Sequence, residues 1–165
     1  MTLTLFLLLF CFGCGEVDTK SKIESGVTIR TLSFRLAPNV TAYGEFSVDL
    51  NETEIKAIQR AFSHSPRHFS CVTAHVGVSS LEYVAEFSDG TSCRKALIFR
   101  FFADAVFAQF ETSSDSGFQG MNSITLRLDE CVDEKIIQRI SNHFKVDEEL
   151  LSPWPGNLDF PAKTK

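Results

Sequence analysis

Three of the chain's four histidines and one of its five cysteines fall within twelve residues, HSPRHFSCVTAH, at positions 64–75. Imidazole and thiolate are the usual ligands of zinc, and a thiol beside an imidazole is a common arrangement for a cysteine nucleophile. His68, Cys71 and His75 are therefore the first candidates for a metal centre or for catalysis. The spacing argues against both. Val72, Ala74, Val76 and Val78 alternate with Cys71, Thr73, His75 and Gly77, the period of a strand. Cys71 and His75 then share a face with backbones about 13 Å apart. Two side chains and two ligand bonds of about 2.0–2.3 Å do not span that distance. His64 and His68 have helical spacing, but Pro66 stands between them and interrupts a helix. At a helix C-terminus His64 has a plain role, its partial positive charge complementing the dipole. The expectation is no bound metal and no cofactor. A metal set of His68, Cys71 and His75, in a secreted enzyme or metal-binding protein, is the alternative.

Other chemistry fares no better. Glu82 and Glu86 share a strand face about 13 Å apart, beyond the roughly 5–9.5 Å that paired carboxylates use on a glycosidic bond. Neither a G-x-S-x-G elbow nor H-E-x-x-H occurs. Gly117-Phe118-Gln119-Gly120 carries no neighbouring cation that would complete a phosphate cradle. The expected function is therefore non-catalytic. Thr73, His75, Glu82 and Glu86, together on the polar face of the predicted sheet, form one candidate binding surface. The loop at 113–120 is another.

The elements that must position these residues are mostly strands. Val27 and Ile29 alternate, then Leu32, Phe34 and Leu36 alternate in the other phase, which predicts a bulge near Thr31. Ala37-Pro38-Asn39 predicts a turn, and 40–50 a one-sided strand. Asn51 and Glu54 predict a capping box, opening a helix with Ile55, Ile58 and Phe62 inward that Ser65-Pro66 ends. A meander follows over 70–112, with turns at Ser79-Ser80 and Asp89-Gly90. The first turn puts His75 opposite Val84, flanked by Glu82 and Glu86. Residues 93–102 and 105–111 are apolar on both faces and belong in the centre of the sheet. A last strand carries Ile124, Leu126 and Leu128, and a helix over about 130–145 turns Val132, Ile136, Ile140 and Phe144 inward. The fold class expected is α+β: a mainly antiparallel sheet of about six to seven strands with two helices packed on one face.

Cys71, Cys93 and Cys131 allow one internal bridge, and Cys71–Cys93 ranks first because both lie at one end of the meander. A two-residue Asp89-Gly90 turn sets Cys93 opposite Glu86, two strands from Cys71 and about 10 Å away. The bridge therefore requires Cys71 to lie in the incoming loop.

Composition sets the outer bounds. The chain has 165 residues, 44% of them hydrophobic, with sixteen phenylalanines and a formal net charge of −5. This suits one domain with an aromatic-rich core. Without a Lys/Arg block that tracks phosphates, nucleic acid is not an expected partner.

Residues 1–15, MTLTLFLLLFCFGCG, contain an apolar run from Leu3 to Phe12. It is too short for a bilayer span of roughly 20 residues and the right length for an export signal. FCFGCGE resembles the lipobox of bacterial lipoproteins, with a leucine-rich run, Gly13 before the cysteine and Gly15 after it. Cys11 stands where that family usually has leucine, and Phe12 is bulky for its position. The resemblance covers residues 1–25 and implies lipidation of Cys14, a membrane partner through the lipid, and residence in the cell envelope. The expected organisation is an export signal at 1–13, a tether at 14–25, one domain at 26–150 and an irregular Pro-rich tail at 151–165 that Trp154 pins to the domain. Two alternatives stay open. Ordinary signal peptidase after Gly15 gives a secreted chain. Acceptor sequons at Asn39 and Asn51 suit a secreted eukaryotic glycoprotein module or inhibitor.

Overall fold

The structure, a computed structural model, describes residues 17–65, 76–113 and 123–155. Strands β1 (Ile29–Leu36), β2 (Ser47–Asp49), β3 (Val76–Phe87), β4 (Ser92–Phe101), β5 (Val106–Glu111) and β6 (Ser123–Arg127) form one antiparallel sheet. Its order is β2-β1-β3-β4-β5-β6. Helices α1 (Thr19–Glu24), α2 (Glu52–His64) and α3 (Glu134–His143) send Ile23, Ile55, Ile58, Phe62 and Ile140 into the core that covers one face of this sheet. The fold class is α+β, as the alternation of apolar residues predicts.

The alternation works as chemistry because each strand has one face against helices. On β3, Leu81, Tyr83, Ala85 and Phe87 are buried while Glu82, Val84 and Glu86 point the other way. Phe110 on β5 is fully buried, with ring centroids 5.1 Å from Phe62, 5.3 Å from Tyr83 and 6.2 Å from Phe34. Pairs of this kind each add about 0.5–1.5 kcal/mol beyond area burial. The phenylalanines thus join α2 to the centre of the sheet.

The capping box forms as the sequence predicts. Asn51 Oδ1 accepts from the amides of Thr53 and Glu54, and the Glu54 carboxylate accepts from the Asn51 amide. The second carboxylate oxygen of Glu54 accepts from the Asp133 amide at 3.1 Å, so one buried side chain caps α2 and holds the start of α3. The register shift between Ile29 and Thr31 is the bulge expected from the phase slip.

Four local expectations differ from the structure. Residues 40–46 are not strand. β2 pairs Ser33 with Asp49 and Arg35 with Ser47, so its ladder ends where β1 ends and the chain between makes a wide loop. Ser79-Ser80 is no turn. β3 runs through it with a bulge, Val78 pairing with Phe99 and Leu81 with Leu97, which keeps both residues inward although they are three apart. The Asp89-Gly90 hairpin holds one more residue than a two-residue turn, with Gly90 at φ +82° and the Phe87 amide bonded to the Thr91 carbonyl. Cys93 therefore sits opposite Ala85, on the core face, and not opposite Glu86. Finally, residues 19–24, expected within a polar tether, form α1. Thr19, Lys20 and Ile23 are buried, and Asp18 caps the helix by accepting from the Lys20 and Ser21 amides.

Trp154 does pin the chain that follows α3. Its ring lies 5.1 Å from Phe107, its amide donates to Asp104 Oδ1 at 2.7 Å, and Phe102 and Ala105 complete the cluster. Phe107 points away from the main core, so this cluster covers the helix-free face of the sheet at one end.

Candidate functional site

The helix-free face is built from the outward residues of the strands. β1 and β3 bring Thr31 opposite Glu86, Ser33 opposite Val84 and Arg35 opposite Glu82, and β4 adds Ser92, Arg94 and Ala96 across from Glu86, Val84 and Glu82. Glu82 is 21% exposed and lies 3.5 Å from the Arg94 Nε, an ion pair without hydrogen-bond geometry. Arg35 Nε donates to Ser33 Oγ at 3.0 Å, and its terminal nitrogen is 3.9 Å from the Asp49 carboxylate. Because β2 is only three residues long, the sheet edge opens here into a groove of about 550 Å³. Arg30, Arg35, Asp49, Glu52, Val84 and Glu86 are among its walls.

This groove offers two guanidiniums, three carboxylates and two hydroxyls at a solvated surface. It has the donors and acceptors of a recognition surface, and one of its hydroxyls, Ser33 Oγ, accepts from Arg35 Nε. Among the described residues, no group of three His, Cys, Asp or Glu side chains is placed to hold a metal ion.

Of the expected site residues, Glu82 and Glu86 take their places on this face. Thr73, His75, His68, Cys71 and Cys14 lie outside the described residues, as does most of the 113–120 loop. The expected pairing of His75 with Val84 is not made. Both sides of residues 81–87 are occupied, by β1 and β4, because the chain does not turn at Ser79-Ser80. Asn39 is exposed in the β1–β2 loop, whereas the carboxamide oxygen of Asn51 is engaged in capping α2. His64 ends α2 with Nδ1 donating to the Arg60 carbonyl at 2.7 Å.

A second polar constellation lies on the other face, beneath α1. Tyr83 Oη donates to the Glu111 carbonyl at 2.5 Å and lies 2.9 Å from Thr19 Oγ1, which is 3.4 Å from Cys93 Sγ. Tyr83 has one proton and gives it to Glu111, so Thr19 donates to Tyr83 and its lone pairs face the Cys93 thiol. Burial, then the neighbouring Cys93, raises the Tyr83 pKa well above its ordinary value. The phenol is a structural donor at physiological pH. Cys93 is a free, buried thiol; Cys131 is free and half-buried, and burial, then Glu130 and Asp129, raise its pKa above the ordinary thiol value. Beside this cluster the buried Lys20 ammonium donates to the carbonyls of Phe62 and Ser65 at 2.9 and 2.6 Å and pairs with Glu24 at 3.2 Å. Hydropathy cannot find these groups, because Thr19 and Lys20 are buried through hydrogen bonds and not through apolarity.

No helix among the described residues is long and apolar enough to cross a membrane. No family model, curated protein or solved structure matches the chain.

Proposed function

We propose that this chain is an exported, lipid-anchored, non-catalytic protein of the bacterial cell envelope, and that the helix-free sheet face around Arg35, Glu82 and Glu86 is its recognition surface. The observation that carries the reading is the run Leu3–Gly15, an apolar segment of export-signal length ending in Gly13-Cys14-Gly15. A thioether-linked lipid with an added acyl chain on Cys14 anchors firmly where a single chain does not.

The fold is compatible with a short anchor. α1 begins five residues after Cys14, at most about 17 Å of extended chain. An acylated Cys14 would hold the domain against the membrane surface. The buried groups Lys20, Glu54 and Tyr83 are engaged in caps and internal hydrogen bonds that hold the fold together. Replacement Cys14→Ser, expressed in a bacterial host, tests the anchor. The wild-type chain is expected in the detergent-soluble membrane fraction and the variant outside it. Equal partition of both chains would overturn the proposal.

A further inference from the structure

We infer that α1 is a strap that opens as a unit while the sheet stays folded, and that its opening uncovers a polar slot containing the free thiol of Cys93. The inference does not depend on lipidation. It rests on how α1 is held.

A six-residue helix has no stability of its own in water. Its place on the domain is set by its contacts, and these are mostly polar. Thr19 donates to Tyr83 and faces Cys93, its amide donates to the Thr112 carbonyl at 3.2 Å, and Lys20 reaches the last carbonyls of α2. Lys22 meets Asp89 at the tip of the β3–β4 hairpin at 2.5 Å. Ile23 is the single apolar side chain that the helix itself buries. Elements held by core burial do not separate without unfolding. One held by directional bonds and one isoleucine, with half-buried Val17 and Val27 at its two ends and the Lys22 ammonium over the Phe87 ring, exchanges those bonds for water at modest cost.

The surface beneath has the matching character. β4 places Cys93 opposite Ala85 and Lys95 opposite Tyr83 on the core face, and Thr112 follows directly after β5. Tyr83, Cys93, Lys95 and Thr112 are all buried. Elsewhere this face carries the phenylalanine, leucine, isoleucine, valine and alanine side chains of the main core, which Tyr83 and Cys93 border as members. Tyr83 and Cys93 meet the Thr19 hydroxyl and the Thr112 carbonyl meets the Thr19 amide, so the polar groups that α1 covers are ones that water can satisfy when the strap lifts. Tyr83 keeps its bond to Glu111 in either state, because both partners belong to the sheet.

The test is thiol labelling of the full chain, read by peptide mass so that Cys93 is separated from the other cysteines, across low concentrations of urea. The strap predicts that Cys93 labels under conditions where far-ultraviolet circular dichroism is unchanged. Its rate should rise only weakly with urea, because little surface is exposed in the opening. Thr19→Val keeps the shape but removes the hydroxyl, and should speed Cys93 labelling about tenfold, the effect of one lost hydrogen bond, while shifting the global equilibrium toward the unfolded state by the same factor, since the bond is present only in the closed state. Ile98→Ala, on the helix-free face of β4, controls for global destabilisation and should leave labelling at low urea unchanged. The inference fails if Cys93 labels only with the full urea dependence of global unfolding, or if Ile98→Ala speeds labelling at low urea by the factor by which it lowers global stability.

Discussion

Glu54 is the residue whose replacement tests the architecture most sharply. Its buried carboxylate accepts from the Asn51 amide at 2.8 Å and the Asp133 amide at 3.1 Å, so it joins the start of α2 to the start of α3 across 79 residues of sequence. Hydrogen bonds to a charged partner contribute about 1.5–3 kcal/mol each. Both amides lie at helix starts, where water recovers part of that. Glu54→Ala is therefore expected to cost about 3 kcal/mol, and Glu54→Gln about 2 kcal/mol, since a carboxamide can accept from one amide but not from both. For a chain of this size 1 kcal/mol corresponds to roughly 2–4 °C, so Glu54→Ala should lower Tm by about 6–12 °C. Urea denaturation followed by circular dichroism and by Trp154 fluorescence provides the free energy. The capping box also predicts non-additivity: Asn51→Ala alone should cost about 1 kcal/mol, and less in the Glu54→Ala background because α2 then starts frayed. Variants at Glu54 within about 0.5 kcal/mol of wild type would refute the bridging role.

Phe110→Ala, which removes a fully buried ring touching Phe34, Phe62 and Tyr83, should cost about 3–5 kcal/mol by denaturant titration. Asp89 has its pKa lowered to about 2, first by the hydrogen bond from Lys22 and then by Thr91. Its folded value is depressed, so its contribution to stability is present above the ordinary value of 3.8 and is lost as pH falls through about 2. Lys22→Ala should move the Asp89 carboxyl resonance titration upward, but short of 3.8 because Thr91 remains. Trp154→Ala should increase protease cleavage after α3 while leaving the far-ultraviolet spectrum of the sheet intact, since the indole packs on the separate cluster of Phe102, Ala105 and Phe107.

The parts legible in the sequence are those where one local rule decides. The Asn51–Glu54 box, the inward stripe of Ile55, Ile58 and Phe62, and the phase slip before Leu32 are each set by neighbouring residues. The parts not legible depend on partners distant in the chain. Residues 40–46 alternate as a strand should, but β1 offers them no length to pair with. Ser79-Ser80 has the composition of a turn, yet β4 and β1 flank residues 81–87, and two serines are accommodated as a bulge. One extra residue in the Asp89-Gly90 hairpin carries Cys93 from the face of Glu86 to that of Ala85. α1 was hidden because TKSKIE has a single apolar residue, and its burial rests on Tyr83, Phe62 and Ser65, far along the chain. The same limit applies to the candidate site. Glu82 and Glu86 were recognisable as outward residues, while their neighbours Arg35 and Arg94 were not, because the strand order determines them.

The central claim is the anchor at Cys14, and the intact mass of the mature protein from its native host tests it most directly. The account predicts a chain beginning at Cys14 with the added mass of a diacylglycerol and an acyl group. A chain beginning elsewhere without lipid, or one carrying glycan mass at Asn39 or Asn51, would contradict it.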